Sequence, residues 1–212
     1  MPTLLCFGDS NTHGSPPANG PGPYARYGHG VRWPSVCAGA LGERWEVIEE
    51  GLPGRTAQFD DPGMGAHMNG WPALRIALES HGPLDVLAVM LGTNDVKTRF
   101  APTPARVTAG IAGLLDIALS EAMQERHGGL RVLLVAPPKV VLAGLDAGEF
   151  HGAEEVSAAL PDHYRALAEA RGCAFLDAND VISVSPLDGI HFDETAHGAL
   201  GKAVAEQVTR LA

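Results

Sequence analysis

The chain has 212 residues, of which 45% are hydrophobic and 19% are charged. This composition is typical of a globular chain and excludes an intrinsically disordered one. Asp and Glu number 25 against 15 Lys and Arg, so the formal charge is −10. Because so acidic a chain without a basic stripe repels phosphate backbones, a nucleic-acid partner is not expected.

The first half of the chain alternates short apolar runs with helix-forming stretches. A strand is predicted at 3–7, a short helix at 34–41 and a second strand at 45–49. A helix at 72–81 follows, with its apolar residues on one face, before a third strand at 84–91. A glycine follows each of these strands, which indicates that each leads into a turn or loop.

The second half continues the same alternation. The longest predicted helix covers 104–127 and stops before two glycines, which favour a helix end. A strand at 131–136, a helix at 154–171, a shorter strand at 173–177 and a helix at 194–211 follow. Strands that are apolar on both faces belong to parallel sheets covered by helices. The pattern therefore predicts an α/β fold, a three-layer α/β/α sandwich with a parallel sheet and right-handed crossovers.

Two stretches, 15–30 and 139–152, match no helix or strand and are predicted to be long loops. Loops of this length in a compact domain are usually functional or cover a site. No internal repeat or low-complexity linker divides the chain, and its length is that of one domain or at most two. We therefore expect a single domain covering 1–212.

Three features of the sequence bear on the cellular compartment of the protein. The longest apolar runs contain an acid or end too early to span a membrane. The N-terminus has neither the basic region nor the cleavage site of a secretory signal. Cys6, Cys37 and Cys173 form no CxxC pair, which favours reduced thiols that pack as small hydrophobic side chains. A cytoplasmic protein with no membrane partner is expected.

Polar residues follow three of the predicted strands and precede the last helix. The four blocks are Gly8-Asp9-Ser10-Asn11, Gly51-Leu52-Pro53-Gly54-Arg55, Gly92-Thr93-Asn94-Asp95 and Asp188-Gly189-Ile190-His191. In open parallel sheets, ligands bind outside the carboxyl ends of the strands. All four blocks are therefore expected to face the same edge of the sheet.

Ser10, His191 and Asp188 have the residue types of a serine hydrolase. A serine hydroxyl is a weak nucleophile until a base takes its proton, and an imidazole titrates near neutrality. Asp188 precedes His191 across a turn that contains glycine, so its carboxylate can hold one ring nitrogen while the other faces Ser10. We predict Ser10 as the nucleophile, His191 as the base and Asp188 as the acid that orients it.

An ester carbonyl under attack becomes an oxyanion, which needs hydrogen-bond donors. The candidates are the backbone N–H groups of Ser10 and Gly54 and the side-chain amide of Asn94. Gly54 suits its position because it has no side chain to block the approach of the substrate.

In order and spacing, the four blocks resemble the signature blocks of the SGNH (GDSL-type) hydrolases over nearly the whole chain. Further segments resemble the small bacterial arylesterase/acyltransferase branch: Val31-Arg32-Trp33, 46–51, Asp60-Asp61-Pro62 and 90–95. The resemblance implies a flavodoxin-like sheet of five strands, no metal or cofactor, and small ester substrates with short acyl groups. Some members of the branch form large homo-oligomers, so a homo-oligomer is expected from the resemblance alone.

The resemblance also assigns roles to residues of this chain. It implies a triad of Ser10, Asp188 and His191, and an oxyanion hole formed by Ser10, Gly54 and Asn94. The expected activity is that of a serine esterase, a carboxylic ester hydrolase that forms an acyl-enzyme. The alternatives are an acyltransferase or perhydrolase, a carbohydrate acetylesterase with the same triad, and a non-catalytic binding protein on a hydrolase fold.

The residues after Ser10 depart from the acyl-transferring members of the branch, which tend to have bulky apolar residues there. The run here is Asn11-Thr12-His13-Gly14, and we expect Asn11 and His13 to contact substrate at a polar pocket mouth. Because a polar mouth admits water more readily, hydrolysis is favoured over transfer to alcohols.

Other polar residues are interpreted as structural. Asp9 is expected to bond the loop beneath Ser10, and Arg55 to pair at the surface rather than with a substrate carboxylate. The chain has nine histidines but no His-x-x-x-His pair or similar cluster, so no metal site is predicted. Most of these histidines are expected at the surface.

Overall fold

The computed structural model describes residues 1–18, 20 and 22–211. Its centre is a sheet of five parallel strands in the order β2-β1-β3-β4-β5. The strands are β1 Thr3–Gly8, β2 Glu46–Gly51, β3 Val86–Met90, β4 Arg131–Ala136 and β5 Ala174–Asp177. The register places Leu5 of β1 between Ile48 of β2 and Leu87 of β3. Every carboxyl end therefore meets the same edge, as predicted.

Helices cover both faces of the sheet. They are α1 Ser10–His13, α2 Trp33–Leu41, α3 Gly70–His81, α4 Pro104–Ala118, α5 Glu121–His127, α6 Ala153–Arg171 and α7 Glu194–Leu211. Short 3₁₀ turns lie at Ala66–Met68, Thr98–Phe100, Leu145–Gly148 and Ala178–Asp180.

Alternate residues of the strands pack into two separate hydrophobic cores, one on each face of the sheet. In β1, Leu5 and Phe7 pack with residues of α3, α4 and α6 on one face, whereas Leu4 and Cys6 pack with α2 and α7 on the other. This alternation follows from the two-residue period of a strand. The predicted three-layer α/β/α sandwich is thereby confirmed.

Two helix predictions differ from the structure. The helix predicted at 104–127 is divided at Leu119 and Ser120, where Ser120 adopts extended backbone and its Oγ donates to the carbonyl of Ile117. A serine that bonds the backbone in this way competes with helix continuation and is a favoured N-cap. The helix α1 was not predicted, because its four residues are too few to show helical periodicity.

The two predicted loops contain no strand or α-helix among their described residues. Asn19 and Pro21 of the loop 15–30 lie outside the described residues, as does Ala212 at the end of the expected domain. The three cysteines are free, and Cys6 and Cys37 are buried in the core as predicted. None of the helices described in the structure is long and apolar enough to cross a membrane.

Candidate functional site

Ser10, His191 and Asp188 form a continuous hydrogen-bonded chain at the carboxyl edge of the sheet. Ser10 begins α1 directly after β1, while the other two residues lie on the loop before α7. Oγ of Ser10 is 3.0 Å from Nε2 of His191, although the residues are 181 positions apart. Nδ1 of His191 is 2.8 Å from Oδ2 of Asp188. The structure therefore brings the three predicted residues together.

The surroundings of Asp188 hold it as a carboxylate. Its Oδ1 accepts hydrogen bonds of 3.0 Å from the backbone N–H groups of Ile190 and His191, and its Oδ2 accepts one of 3.0 Å from Ala18. Burial alone would raise the pKa of Asp188, but the hydrogen bonds from His191 and Ile190 outweigh it and lower the pKa to about 2. An ionised Asp188 accepts a hydrogen bond from Nδ1–H of His191, and this tautomer leaves the lone pair of Nε2 facing Ser10.

Gly189 lets the loop that carries Asp188 and His191 pack against the loop at 139–152. The carbonyl of Gly189 accepts a hydrogen bond of 2.9 Å from the N–H of Val141. Gly189 has a φ of +74°, and a Cβ there would lie 1.7 Å from the carbonyl oxygen of Val141. A side chain at this position would therefore displace the loop on which the acid and the base lie.

The three residues predicted to donate to the oxyanion follow three adjacent strands, β1, β2 and β3. Gly54 follows β2 with a φ of +88°, and Asn94 follows β3. Nδ2 of Asn94 donates one hydrogen bond of 3.1 Å to the carbonyl of Arg55, which leaves its second N–H for a ligand. Ser10, Gly54 and Asn94 all line the cavity, so the arrangement can hold a developing negative charge beside the serine hydroxyl.

The cavity has a volume of about 400 Å³ and opens to solvent. The loop at 15–30 supplies one side of it, mostly with proline, alanine and glycine. Pro53 and Met64 lie near the oxyanion donors, and Lys97, Glu149 and Phe150 form the remaining side. The predicted loops at 15–30 and 139–152 therefore both contribute to the wall of the site.

Comparison with known proteins identifies the family. The family described as GDSL-like Lipase/Acylhydrolase matches residues 6–199. This chain belongs to that family. The resemblance that the four sequence blocks indicated is confirmed, and the match extends over most of the chain.

Solved structures similar to this GDSL-like acylhydrolase include several bacterial esterases. A carbohydrate acetylesterase from Sinorhizobium meliloti has 38% sequence identity and a TM-score of 0.95, with each chain covered in full. An aryl esterase from M. smegmatis has 39% identity and a TM-score of 0.94, again with full coverage of both chains. A second S. meliloti structure, of a carbohydrate acetylesterase family member, has 35% identity and a TM-score of 0.92; it covers all of this chain and 99% of its own. No curated protein matches the chain. The predicted class, a serine esterase acting on carboxylic esters, is confirmed.

Two buried carboxyl groups lie beneath the site of the acylhydrolase. Burial raises the pKa of Asp9 to about 6 and that of Asp95 to about 7. Asp9 accepts from the N–H of Asn11, in keeping with the structural role expected for it. Asp95, for which no role is predicted from the sequence, accepts from the N–H of Ala57 with both oxygens at 2.9 Å. Asp95 therefore ties the loop of Asn94 to the loop of Gly54.

Arg55 is buried rather than paired at the surface, so that prediction is wrong. It is 6% exposed, and its guanidinium lies 4.2 Å from the centre of the Phe7 ring. Nη1 donates to the carbonyl oxygens of Gly8 and Glu50, at 2.9 Å and 2.5 Å. These bonds join the ends of β1 and β2, which carry two of the functional blocks.

Asn11 and His13, expected to contact substrate, are not among the residues that line the cavity of the acylhydrolase. Asn11 is 1% exposed, and its Nδ2 donates a hydrogen bond of 3.1 Å to the carbonyl of Ile190. Nε2 of His13 is 2.8 Å from the hydroxyl of Tyr24. The short helix α1 turns these side chains away from the cavity, so the polar-mouth argument for hydrolysis has no structural support.

Two of the histidines expected at the surface are buried. Nδ1 of His127 accepts from the N–H of Leu84, and Nδ1 of His197 accepts from the N–H of Trp33. Burial lowers the pKa of both, to about 4 for His197, so both are neutral packing residues at neutral pH. Within the part of the chain that the structure describes, no group of three His, Cys, Asp or Glu residues could hold a metal ion.

Proposed function

We propose that this acylhydrolase is an arylesterase-like enzyme that hydrolyses carboxylic esters with short acyl groups, with Ser10, His191 and Asp188 as its catalytic triad. The observation that carries the proposal is the continuous chain from Asp188 through His191 to Ser10, at 2.8 Å and 3.0 Å, on the wall of a cavity. The acylhydrolase family and the aryl esterase among the structural neighbours support the reaction type.

The first half of the proposed reaction forms an acyl-enzyme. Oγ of Ser10 attacks the ester carbonyl, and its proton passes to Nε2 of His191, while Asp188 stabilises the imidazolium that results. The tetrahedral oxyanion accepts hydrogen bonds from the N–H groups of Ser10 and Gly54 and from Nδ2 of Asn94. His191 then returns its proton to the leaving alcohol, and the acyl group remains on Ser10.

The second half repeats these steps with water as the nucleophile. His191 takes a proton from a water molecule, and the resulting attack on the acyl group forms a second oxyanion in the same hole. Collapse of this intermediate returns the proton to Ser10 and releases the acid. The triad thus acts as base and then as acid in each half.

The size of the cavity supports small substrates. A volume of about 400 Å³ lies at the small end of the range for ligand pockets. Phe150, which is 3% exposed, and the side chain of Met64 restrict the space beside Ser10. Acetyl and similar short acyl groups fit this space better than a long alkyl chain does.

The test is a chain-length series of p-nitrophenyl esters, from acetyl to octanoyl, on the wild type and on Ser10→Ala. We expect the rate to fall with chain length in the wild type and to be lost at every length in Ser10→Ala. Ser183→Ala, which removes an exposed hydroxyl remote from Ser10, is the control and should retain the wild-type rate. Unchanged turnover in Ser10→Ala would refute the proposal, and a wild type that a fluorophosphonate does not label would favour a non-catalytic binding protein.

A carbohydrate acetylesterase is the second candidate, because two of the similar structures carry that description. It would use the same acyl-enzyme and differ in the alcohol that leaves. A panel of acetylated oligosaccharides compared with aryl acetates separates the two activities. Transfer to an added alcohol or to hydrogen peroxide is tested by product analysis, since ester exchange faster than hydrolysis would indicate an acyltransferase or perhydrolase.

The remaining expectations concern partners and location. We propose a small ester as the only substrate class and no nucleic-acid partner, in keeping with the formal charge of −10. We also propose a single catalytic domain, a cytoplasmic location and a homo-oligomeric state. Light scattering on the purified protein tests the oligomer, and fractionation of cells tests the location.

A further inference from the structure

One side of the cavity carries a charged pair, Lys97 and Glu149, which we call the polar wall. Lys97 lies three residues after Asn94 in a turn, which its N–H closes by donating to the carbonyl of Asn94 at 3.3 Å. Both residues of the polar wall line the cavity that contains Ser10 and His191. The loop that supplies an oxyanion donor therefore also places an ammonium group in the substrate space.

The ammonium of Lys97 is poorly hydrated, because the residue is only 8% exposed. Its Nζ lies 3.3 Å from Oε2 of Glu149 and 5.6 Å from the centre of the Phe150 ring. An ammonium has three N–H donors, and the ion pair with Glu149 uses one of them. Among the described residues, the structure gives Nζ no other hydrogen-bond acceptor, so donors remain for a substrate group.

Glu149 is held from outside the cavity by a second cation. Its Oε1 lies 2.5 Å from Nη2 of Arg99, whose Nη1 is 3.3 Å from the buried Asp61. The side chain of Glu149 is 45% exposed, which leaves lone pairs of its carboxylate accessible. The polar wall thus offers a fixed acceptor next to an ammonium whose remaining N–H donors have no acceptor among the described residues.

Another part of the cavity is apolar. Pro16, Pro23 and Ala25 of the loop at 15–30 line it. A leaving group that fits this space needs a carbon frame against the prolines and polar groups towards the polar wall. A hydroxyl group is the chemistry that matches, because it accepts a hydrogen bond from the ammonium and donates one to the carboxylate.

We propose, on the basis of the proposed esterase function, that Lys97 and Glu149 determine specificity by binding free hydroxyl groups on the leaving alcohol. Among short-acyl esters, those whose leaving alcohol carries free hydroxyl groups, such as a polyol or a sugar, are then preferred over those of alkyl alcohols of the same size. An apolar alcohol would enclose the open N–H donors of Lys97 without offering them a hydrogen bond, and buried polar groups left unpaired oppose binding. A carboxylate on the leaving group is disfavoured, because it would lie beside the carboxylate of Glu149.

The experiment compares glycerol monoacetate with n-propyl acetate, whose leaving alcohols share a three-carbon frame and differ in hydroxyl groups. We expect the ratio of kcat/KM, glycerol monoacetate over propyl acetate, to fall about tenfold to a hundredfold in Lys97→Met, since a charge-assisted hydrogen bond is lost. Lys97→Gln keeps a neutral donor and should restore part of the ratio. Lys202→Met, an exposed lysine on α7 remote from the cavity, is the matched control and should keep the wild-type ratio.

Glu149→Gln is a second test of the role of the polar wall in specificity. This variant should lower the kcat/KM ratio less than Lys97→Met does. In the double variant, the fold-decrease in the ratio should be smaller than the product of the two single fold-decreases, because both residues bind one hydroxyl-bearing group. Circular dichroism establishes that each variant is folded. Removal of Lys97 leaves Glu149 paired with Arg99, so no unpaired carboxylate is created.

Three results would overturn the proposal, and they differ from each other. A folded wild type that hydrolyses none of these esters, p-nitrophenyl acetate included, would remove the esterase function as well. Esterase activity with a ratio within about twofold of wild type in both Lys97 variants would overturn the specificity role alone. A larger loss on acetoxyacetate than on glycerol monoacetate in Lys97→Met would mean that Lys97 binds an anionic leaving group instead.

Discussion

The backbone N–H of Ala18 donates a hydrogen bond of 3.0 Å to Oδ2 of Asp188, 170 residues away in the chain. The same oxygen accepts from Nδ1 of His191 at 2.8 Å. Two further hydrogen bonds hold the loop at 15–30. The hydroxyl of Tyr24 bonds Nε2 of His13, and the N–H of Tyr27 donates to the carbonyl of Gly14. This loop is therefore a wall of the cavity and also a direct support of the acid in the proposed triad.

Ala18→Pro removes this support selectively, because proline has no backbone N–H. We expect kcat for p-nitrophenyl acetate to fall about tenfold, the size of a lost hydrogen bond to a charged group, with a smaller change in KM. Ala18→Gly retains the N–H and is the matched control. Equal rates in the two variants would show that the loop acts only as a wall.

Asn94→Ala removes the side-chain donor of the proposed oxyanion hole. We expect kcat to fall by about 10²–10³ with little change in KM, because the donor acts on the charge of the transition state. Steady-state kinetics on p-nitrophenyl acetate measures the effect. Thermal unfolding serves as the control, since Nδ2 of Asn94 also bonds the carbonyl of Arg55. A rise in KM at constant kcat would assign Asn94 to ground-state binding.

Gly54→Ala places a side chain on left-handed backbone and against the end of the Met64 side chain. A Cβ at Gly54 would lie 2.6 Å from Cε and 2.7 Å from Sδ of Met64, on backbone with a φ of +88°. We expect a loss of about 1 kcal/mol or more in the free energy of unfolding and a lower kcat, because the N–H of residue 54 moves. Adding Met64→Ala relieves the contact and should restore part of the activity. No recovery in the double variant would leave the backbone conformation as the whole cause.

Asp95 should make the stability of the enzyme depend on pH. Burial raises its folded pKa to about 7, whereas an unfolded aspartate titrates near about 4. Between these values the unfolded chain releases the proton more readily, so this carboxyl destabilises the fold as pH rises from about 4 to about 7. Asp188, with its pKa lowered to about 2, acts oppositely and below this window, since its stabilisation is lost as pH falls from about 4 to about 2.

Asp95→Asn removes the carboxyl while Oδ1 can still accept from the N–H of Ala57. We expect the free energy of unfolding of the variant to increase relative to that of wild type, by about 3 kcal/mol at most, from about pH 4.5 to about pH 8. Urea denaturation at the two pH values measures this difference. Asp162→Asn removes an exposed carboxyl and is the control for the loss of one negative charge. An equal difference from wild type at both pH values would contradict the prediction.

The sequence predicts the positions of Ser10, Gly54, Asn94 and His191 because each follows a strand or precedes a helix, and a parallel sheet brings such positions to one edge. The burial of Arg55 and His197 could not be predicted in this way, because nothing in the local sequence pattern marks a polar residue that the tertiary fold encloses. Arg55 is buried because the ends of β1 and β2 leave carbonyl groups that need a donor. That requirement exists only once the two strands are paired.

Asn11 shows the same limit of prediction from sequence, here for a residue next to Ser10 in the chain. Its position next to Ser10 suggests contact with the substrate, but one turn of helix rotates its side chain towards the carbonyl of Ile190. The orientation depends on the N-cap that Asp9 provides and on the loop of His191, which comes from the other end of the chain. Spacing in the sequence places a residue near a site, whereas the local backbone decides which way it points.

The long separation between Ser10 and His191 has a consequence for biosynthesis. Along this chain β1 and the serine are synthesised before β2 to β5, whereas the imidazole and its acid follow β5. A nascent chain that has reached β5 therefore still carries a serine without its base, and the proposed nucleophile is complete only once residue 191 has been added.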